Sequence, residues 1–114
     1  MFVSDRTGNL ELYLISIDGG DAFQLTTLGA SEVESPSWSP DGEKIAFNAD
    51  LDGDHEIYVV RVDSPLEPLQ LTDNQATDRE PSWSPDGETI AFASDRIGRG
   101  YLQIFTVPAD CNAR

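Results

Sequence analysis

The sequence is poor in basic residues. It holds 7 Lys+Arg against 21 Asp+Glu in 114 residues, for a formal net charge of −14. A phosphate backbone needs a basic stripe, so this balance argues against a nucleic-acid partner. It argues equally against docking on anionic lipid. No apolar run approaches the roughly 20 residues that span a bilayer, so no membrane partner is expected. The start, Met1-Phe2-Val3-Ser4-Asp5-Arg6, has no basic head followed by an apolar body and does not read as a signal peptide. The single cysteine, Cys111, can form neither an internal disulfide nor a zinc cluster, so it reads as a tail residue and leaves the compartment open. His55 is the only histidine, and there is no Gly-x-Ser-x-Gly elbow, so no Ser-His-Asp triad and no enzyme is expected. The 21 acids leave room for a glycosidase-type carboxylate pair, but no spacing singles one out.

What the sequence does have is a core and a repeat. A 39% apolar fraction with 9% aromatics is enough for packing, and the length fits one ordinary domain. Pro36-Ser37-Trp38-Ser39-Pro40-Asp41-Gly42-Glu43 recurs as Pro81-Ser82-Trp83-Ser84-Pro85-Asp86-Gly87-Glu88, a shift of 45 residues. Ile45-Ala46-Phe47 and Ile90-Ala91-Phe92 share that shift, as do Asp5, Asp50 and Asp95, and Gly8, Gly53 and Gly98. Gln24-Leu25-Thr26 returns as Gln70-Leu71-Thr72, shifted by 46. Two extra residues near Gly100-Tyr101 put Gln103-Ile104-Phe105 opposite Glu56-Ile57-Tyr58. The chain is therefore a repeat array that begins and ends mid-unit.

Local chemistry says what one unit builds. Ser39-Pro40-Asp41-Gly42 is a turn, with Pro preset near −65° and Gly where φ can be positive. Strands are expected over Ser35 to Ser39 and Lys44 to Ala49 on either side of it. Asp50 to Asp54 is a second turn. Glu56 to Val62, rich in β-branched and aromatic residues, is a third strand. Asp63-Ser64-Pro65 is a third turn, and Pro68 to Thr72 a fourth strand. Ile45-Ala46-Phe47 and Ile57-Tyr58-Val59-Val60 are continuously apolar, so both faces of the sheet must be covered. Four-stranded antiparallel sheets stacked around an axis meet that demand, which is a β-propeller.

These residues carry a resemblance. Pro-Ser-Trp-Ser-Pro-Asp-Gly-Glu-x-Ile-Ala-Phe, then Ser-Asp-Arg-x-Gly, Ile-Tyr and Gln-Leu-Thr, resembles the TolB-type propeller repeat (PD40, WD-like). Close matches are Ser35 to Thr72 and Glu80 to Arg96. With strands named A (inner) to D (outer), the chain reads as a B-C-D set over 2–27, a full blade over 35–72 and an A-B-C set over 80–108, with a tail over 109–114. The fold class is thus all-β, a partial β-propeller of about two and a half four-stranded blades. Propellers of similar repeat are closed rings of about six or seven blades. The outer faces of the terminal blades are expected to expose Phe2, Leu12, Leu14, Ile90, Phe92 and Ile104, which invites association. A head-to-tail homodimer closing a six-blade-like ring is expected, with a fragment of a longer polypeptide as the alternative. The resemblance implies a periplasmic or otherwise extracytoplasmic setting. It also leaves two roles open: a non-enzymatic module binding a protein or peptide, or the accessory propeller of a hydrolase or polysaccharide lyase.

Candidate sites follow from the same strand scheme. Trp38 and Trp83 occupy equivalent places on strand A and are expected to pack between blades. The D-to-A and B-to-C connections share one end, where acids concentrate and the units differ most. Binding is expected there, at the channel mouth, through Glu34, Ser35, His55, Asp78, Arg79, Glu80 and Arg96. Asp50, Asp52 and Asp54 have the oxygen density of a calcium loop but lack the EF-hand pattern. The equivalent loops put Arg6 and Arg96 beside the shared Asp, so the shared residues read as turn residues and no cofactor is expected.

Overall fold

The two Ser-Pro-Asp-Gly segments fold as their side chains dictate. In the computed structural model, Ser39 Oγ donates to Asp41 Oδ1 at 2.6 Å, and the Glu43 backbone N–H donates to the same oxygen at 3.0 Å. Lys44 N–H then donates back to Ser39 Oγ at 3.0 Å. Ser84, Asp86, Glu88 and Thr89 repeat this set at 2.5, 3.0 and 3.1 Å. Gly42 and Gly87 both take φ 75°, the left-handed conformation that a side chain disfavours. Each turn reverses the chain and starts a sheet.

The structure describes residues 1–6, 8, 10–15, 18–29, 32–50, 54–72, 76–98 and 101–109, with side chains described for all of these except 64–67, 96–98 and 101. Among them are ten strands: β1 (Phe2–Ser4), β2 (Glu11–Leu14), β3 (Phe23–Gln24), β4 (Val33–Trp38), β5 (Lys44–Ala49), β6 (Glu56–Arg61), β7 (Ser64–Gln70), β8 (Asp78–Trp83), β9 (Thr89–Gly98) and β10 (Tyr101–Pro108). They form three antiparallel sheets, in the orders β1-β2-β3, β4-β5-β6-β7 and β8-β9-β10. This is the expected all-β partial propeller. No helix among the described residues is long and apolar enough to cross a membrane.

One turn differs from the sequence reading. Arg61 pairs with Ser64, so the reversal is confined to Val62 and Asp63, and β7 begins at Ser64. The Arg61 guanidinium bridges to Asp63 at 3.1 Å and holds the tight turn. Pro65 and Pro68 are tolerated because β7 is an edge strand with one unpaired side.

The core lies between sheets. In the first layer, Leu12, Val3 and Leu14 of the first sheet meet Ile45, Phe47, Tyr58 and Val60 of the middle one. In the second, Ala46, Ile57 and Val59 of the middle sheet meet Ile90, Phe92, Phe105 and Val107 of the third. Each Leu, Ile or Phe buried this way contributes about 1.5–3 kcal/mol. The faces thus come in two kinds, one carrying an aromatic pair and one aliphatic. The pairs stack at 5.6 Å (Phe2–Tyr13), 5.7 Å (Phe47–Tyr58) and 6.2 Å (Phe92–Phe105) between ring centroids. This corrects one expectation. Leu12, Ile90 and Phe92 are 0–2% exposed and face inward, because strand parity turns them toward the middle sheet. Ile104 alone of the expected set is strongly exposed, at 73%.

The Gln-Leu-Thr motif also has a structural reason. Thr26 Oγ1 accepts from Leu12 N–H at 3.0 Å and donates to the buried Glu11 carboxylate at 2.6 Å. Thr72 does the same with Ile57 N–H at 2.9 Å and Glu56 at 2.7 Å. Gln24 and Gln70 each reach the following threonine carbonyl at 2.8 Å. A buried carboxylate needs such donors to be tolerated.

The inner strands are bolted by an indole. Trp83 Nε1–H donates to the Ser37 carbonyl at 2.9 Å, joining β8 to β4. Trp38 has no preceding inner strand to donate to among the described residues and is 42% exposed. We predict that Trp83→Phe lowers stability by about 0.5–1.5 kcal/mol beyond Trp38→Phe, measured by urea denaturation. The turns generate a second prediction. Hydrogen bonds from the serine hydroxyl and the backbone N–H hold the Asp41 and Asp86 carboxyls below the usual aspartate range. A depressed folded-state value gives stability that is present above the unfolded value and lost as pH falls through the folded one. Asp41→Asn with Asp86→Asn should therefore flatten the fall in melting temperature below about pH 4.

Candidate functional site

The inner strands β4 and β8 lie side by side, and a bulge breaks the register of each. The bulges place Ser35 at φ 55° and Glu80 at φ 58°, a left-handed backbone that non-glycine residues rarely adopt. Because both units show it at the same position, the strain belongs to the blade design. Its effect is to aim consecutive side chains of the inner strand out of the regular pleat.

Around the bulges a polar chain links the middle and third sheets. Arg79 Nη1 donates to Glu34 Oε1 at 3.0 Å across the two inner strands. Asn48 Nδ2 donates to the same Glu34 oxygen at 3.4 Å and to His55 Nδ1 at 2.9 Å. Asn48 Oδ1 accepts from the Glu80 backbone N–H at 3.1 Å, which assigns the orientation of its amide. With Nδ1 accepting, His55 carries its proton on Nε2 and donates to Glu32 Oε1 at 2.8 Å. The His55 carbonyl accepts from Asp78 N–H at 2.9 Å, a second tie between the sheets.

Exposure sorts the expected site residues. Ser35 and Glu80 are exposed. The Glu34 and Arg79 side chains are 40% and 38% exposed, so the pair is open to solvent on one side. His55 is 5% exposed and Asp78 is 0% exposed. Asp78 therefore presents no surface to a partner, and His55 acts from beneath through Glu32 and Asn48. Glu56, next to His55, is also fully buried and belongs to the threonine pair. The Arg96 side chain lies outside the described ones, as does Asp52 altogether.

The metal question centres on one cluster. Ligand atoms of Glu32, Asp50 and His55 lie within 4.8 Å of one another. Asp50 Oδ1 already accepts from the Glu32 backbone N–H at 2.8 Å, as Asp95 Oδ1 does from Thr77 N–H at 2.8 Å. The repeated aspartate thus closes the connection into each inner strand. A histidine that binds metal through Nε2 donates its other ring N–H, whereas here Nδ1 accepts from Asn48. The cluster is built as a hydrogen-bonded chain and does not fit a metal shell. Asp54 is half-buried and stands outside the cluster.

Asn48 is the residue that sequence reasoning missed. The signal was there: Val3 and Ala93 occupy its place in the other units, so Asn48 is a polar residue on an apolar face. Asn48→Ala would leave Glu80 N–H and His55 Nδ1 without partners. We expect a loss of about 1–3 kcal/mol by urea denaturation, against less than about 1 kcal/mol for Glu34→Gln at the half-exposed ion pair.

With this geometry in view, the comparisons with known proteins are specific about architecture. The family model described as the TolB beta propeller domain matches residues 30–114. The solved structure of a putative TolB from Agrobacterium tumefaciens superposes with a TM-score of 0.79 and 31% identity, covering 90% of this chain and 35% of that one. TolB from Acinetobacter baumannii gives a TM-score of 0.79 and 30% identity, covering 98% of this chain and 27% of that one. A curated relative, the uncharacterized peptidase YuxL of Bacillus subtilis (strain 168), is 45% identical over 51 residues, which is 44% of this chain and 8% of the relative. The chain spans about a third or less of each of these proteins. By matched repeat and by superposed fold, the chain belongs to the TolB β-propeller domain family.

Proposed function

We propose that the chain is a non-enzymatic propeller binding module, with a protein or peptide partner held at the mouth formed by β4 and β8. The observation that carries this reading is the half-exposed Glu34–Arg79 pair, set between two bulged inner strands and braced from below by Asn48 and His55. Binding groups presented on a rigid scaffold lose little entropy when a partner docks. Glu34 pairs with Arg79, and Glu32 and Glu80 are exposed on or beside the same two inner strands, on a chain of net charge −14. That field favours a cationic group, which would compete with Arg79 for Glu34. A second reading rests on the peptidase-named relative. There the chain would be the accessory propeller of a hydrolase whose catalytic residues lie elsewhere.

A direct test uses two fluorescent decapeptides, one rich in Lys and Arg and one rich in Asp and Glu. The basic peptide should bind, weaken with salt, and lose about tenfold or more in affinity with Glu34→Lys and Glu80→Lys together. Equal binding of both peptides, or no effect of the charge reversals, would refute the proposed mouth.

A further inference from the structure

We propose that two copies of the chain associate head to tail, the Phe2–Tyr13 face of one copy's first sheet packing on the Leu102–Ile104 face of the other's third sheet. Both internal layers join the same two kinds of face. An aromatic pair with its flanking aliphatic residues (Phe47 and Tyr58, then Phe92 and Phe105) meets an aliphatic face (Leu12 and Leu14, then Ile57 and Val59). One face of each kind is left over among the described residues. The first sheet turns Phe2 and Tyr13 away from the middle sheet: Phe2 is half-buried, Tyr13 is 3% exposed beneath Arg6, and Ile15 of the same sheet end is 41% exposed. The third sheet presents Leu102 and Ile104, 56% and 73% exposed. Ile104 stands where Ile57 stands in the middle unit, and Ile57 is 0% exposed because a third sheet covers it. The leftover faces are thus the two halves of an interface that the chain already makes twice.

The first face carries a cation over its rings. The Arg6 guanidinium lies over both rings, 5.4 Å from the Phe2 centroid and 4.7 Å from that of Tyr13. It caps the rings and swings aside when a second copy docks; two chains of net charge −14 repel, so the matching faces and not the charges favour this contact. The Tyr13 hydroxyl is buried and has no hydrogen-bond partner among the described residues. A head-to-tail contact either closes a ring or grows a filament. Three sheets from each copy make six, which lies within the range of about four to eight blades of closed propellers. Closure is therefore expected at two copies. This inference rests on the sheet faces and is independent of the proposed mouth.

Sedimentation equilibrium of the full chain tests it, at low salt and at about 0.5 M, where repulsion between the two acidic chains is screened. The expected mass is twice 12.5 kDa, rising in share with salt. Ile104→Lys with Leu102→Ser should give monomers with unchanged circular dichroism, since both side chains are already exposed. Thr27→Lys, an exposed change off both faces, should leave the dimer intact. A monomer under every condition overturns the proposal and assigns these faces to another polypeptide. A dimer insensitive to Ile104→Lys, or open polymers in its place, overturns it as well.

Discussion

Each sheet of this protein is apolar on both faces, and everything else depends on that. A sheet with one wet face is stable when one layer covers it. The middle sheet, with Ile45, Phe47 and Val60 on one side and Ala46, Ile57 and Val59 on the other, needs a layer on each side. The repeat supplies the layers. Because one unit presents an aromatic pair forward and aliphatic side chains behind, any unit fits the next, and stacking continues as far as the sequence repeats.

Stacking alone does not hold the outer strands. That is the task of the buried carboxylates Glu11 and Glu56, each receiving a threonine hydroxyl from just past the end of the strand beside it. Gln103 stands in the place of Glu56 and is exposed. A buried carboxylate without its donors is costly, which is why Glu11 and Glu56 each come with a threonine.

Much of this was legible in the sequence, and what escaped has physical reasons. Turn chemistry is local, so Ser-Pro-Asp-Gly and the 45-residue period located the strands and the blade type directly. Face assignment is not local. A continuous run such as Ile90-Ala91-Phe92 says that both faces are covered and carries no polar residue to mark which way each side chain points, so Leu12, Ile90 and Phe92 were read as outward. The candidate mouth was half legible. Glu34, Ser35, Arg79 and Glu80 follow from their place on the inner strands. The bracing by Asn48 does not, because its partner Glu80 N–H is 32 residues away and is brought near only by stacking of the sheets. Asp78 looked like a rim acid and is buried, since the inner strand already begins there.

The near-identity of the units also sets a problem for the folding chain. Pro36 to Glu43 and Pro81 to Glu88 are the same eight residues, so β4 and β8 carry almost the same pairing information for β5 and β9. A nascent hairpin built from the wrong inner strand would gain the same turn and nearly the same ladder. What tells the strands apart is Val33-Glu34-Ser35 against Asp78-Arg79-Glu80, with Asn48 against Ala93 on the strands they pair with. Exchange of β4 and β8 would put Arg79 in place of Glu34 opposite Asn48, so that the Asn48 amide donor would face a guanidinium and not a carboxylate. The polar chain between the inner strands therefore serves as an address label. It gives each inner strand one correct neighbour in an array whose hydrophobic contacts would accept either.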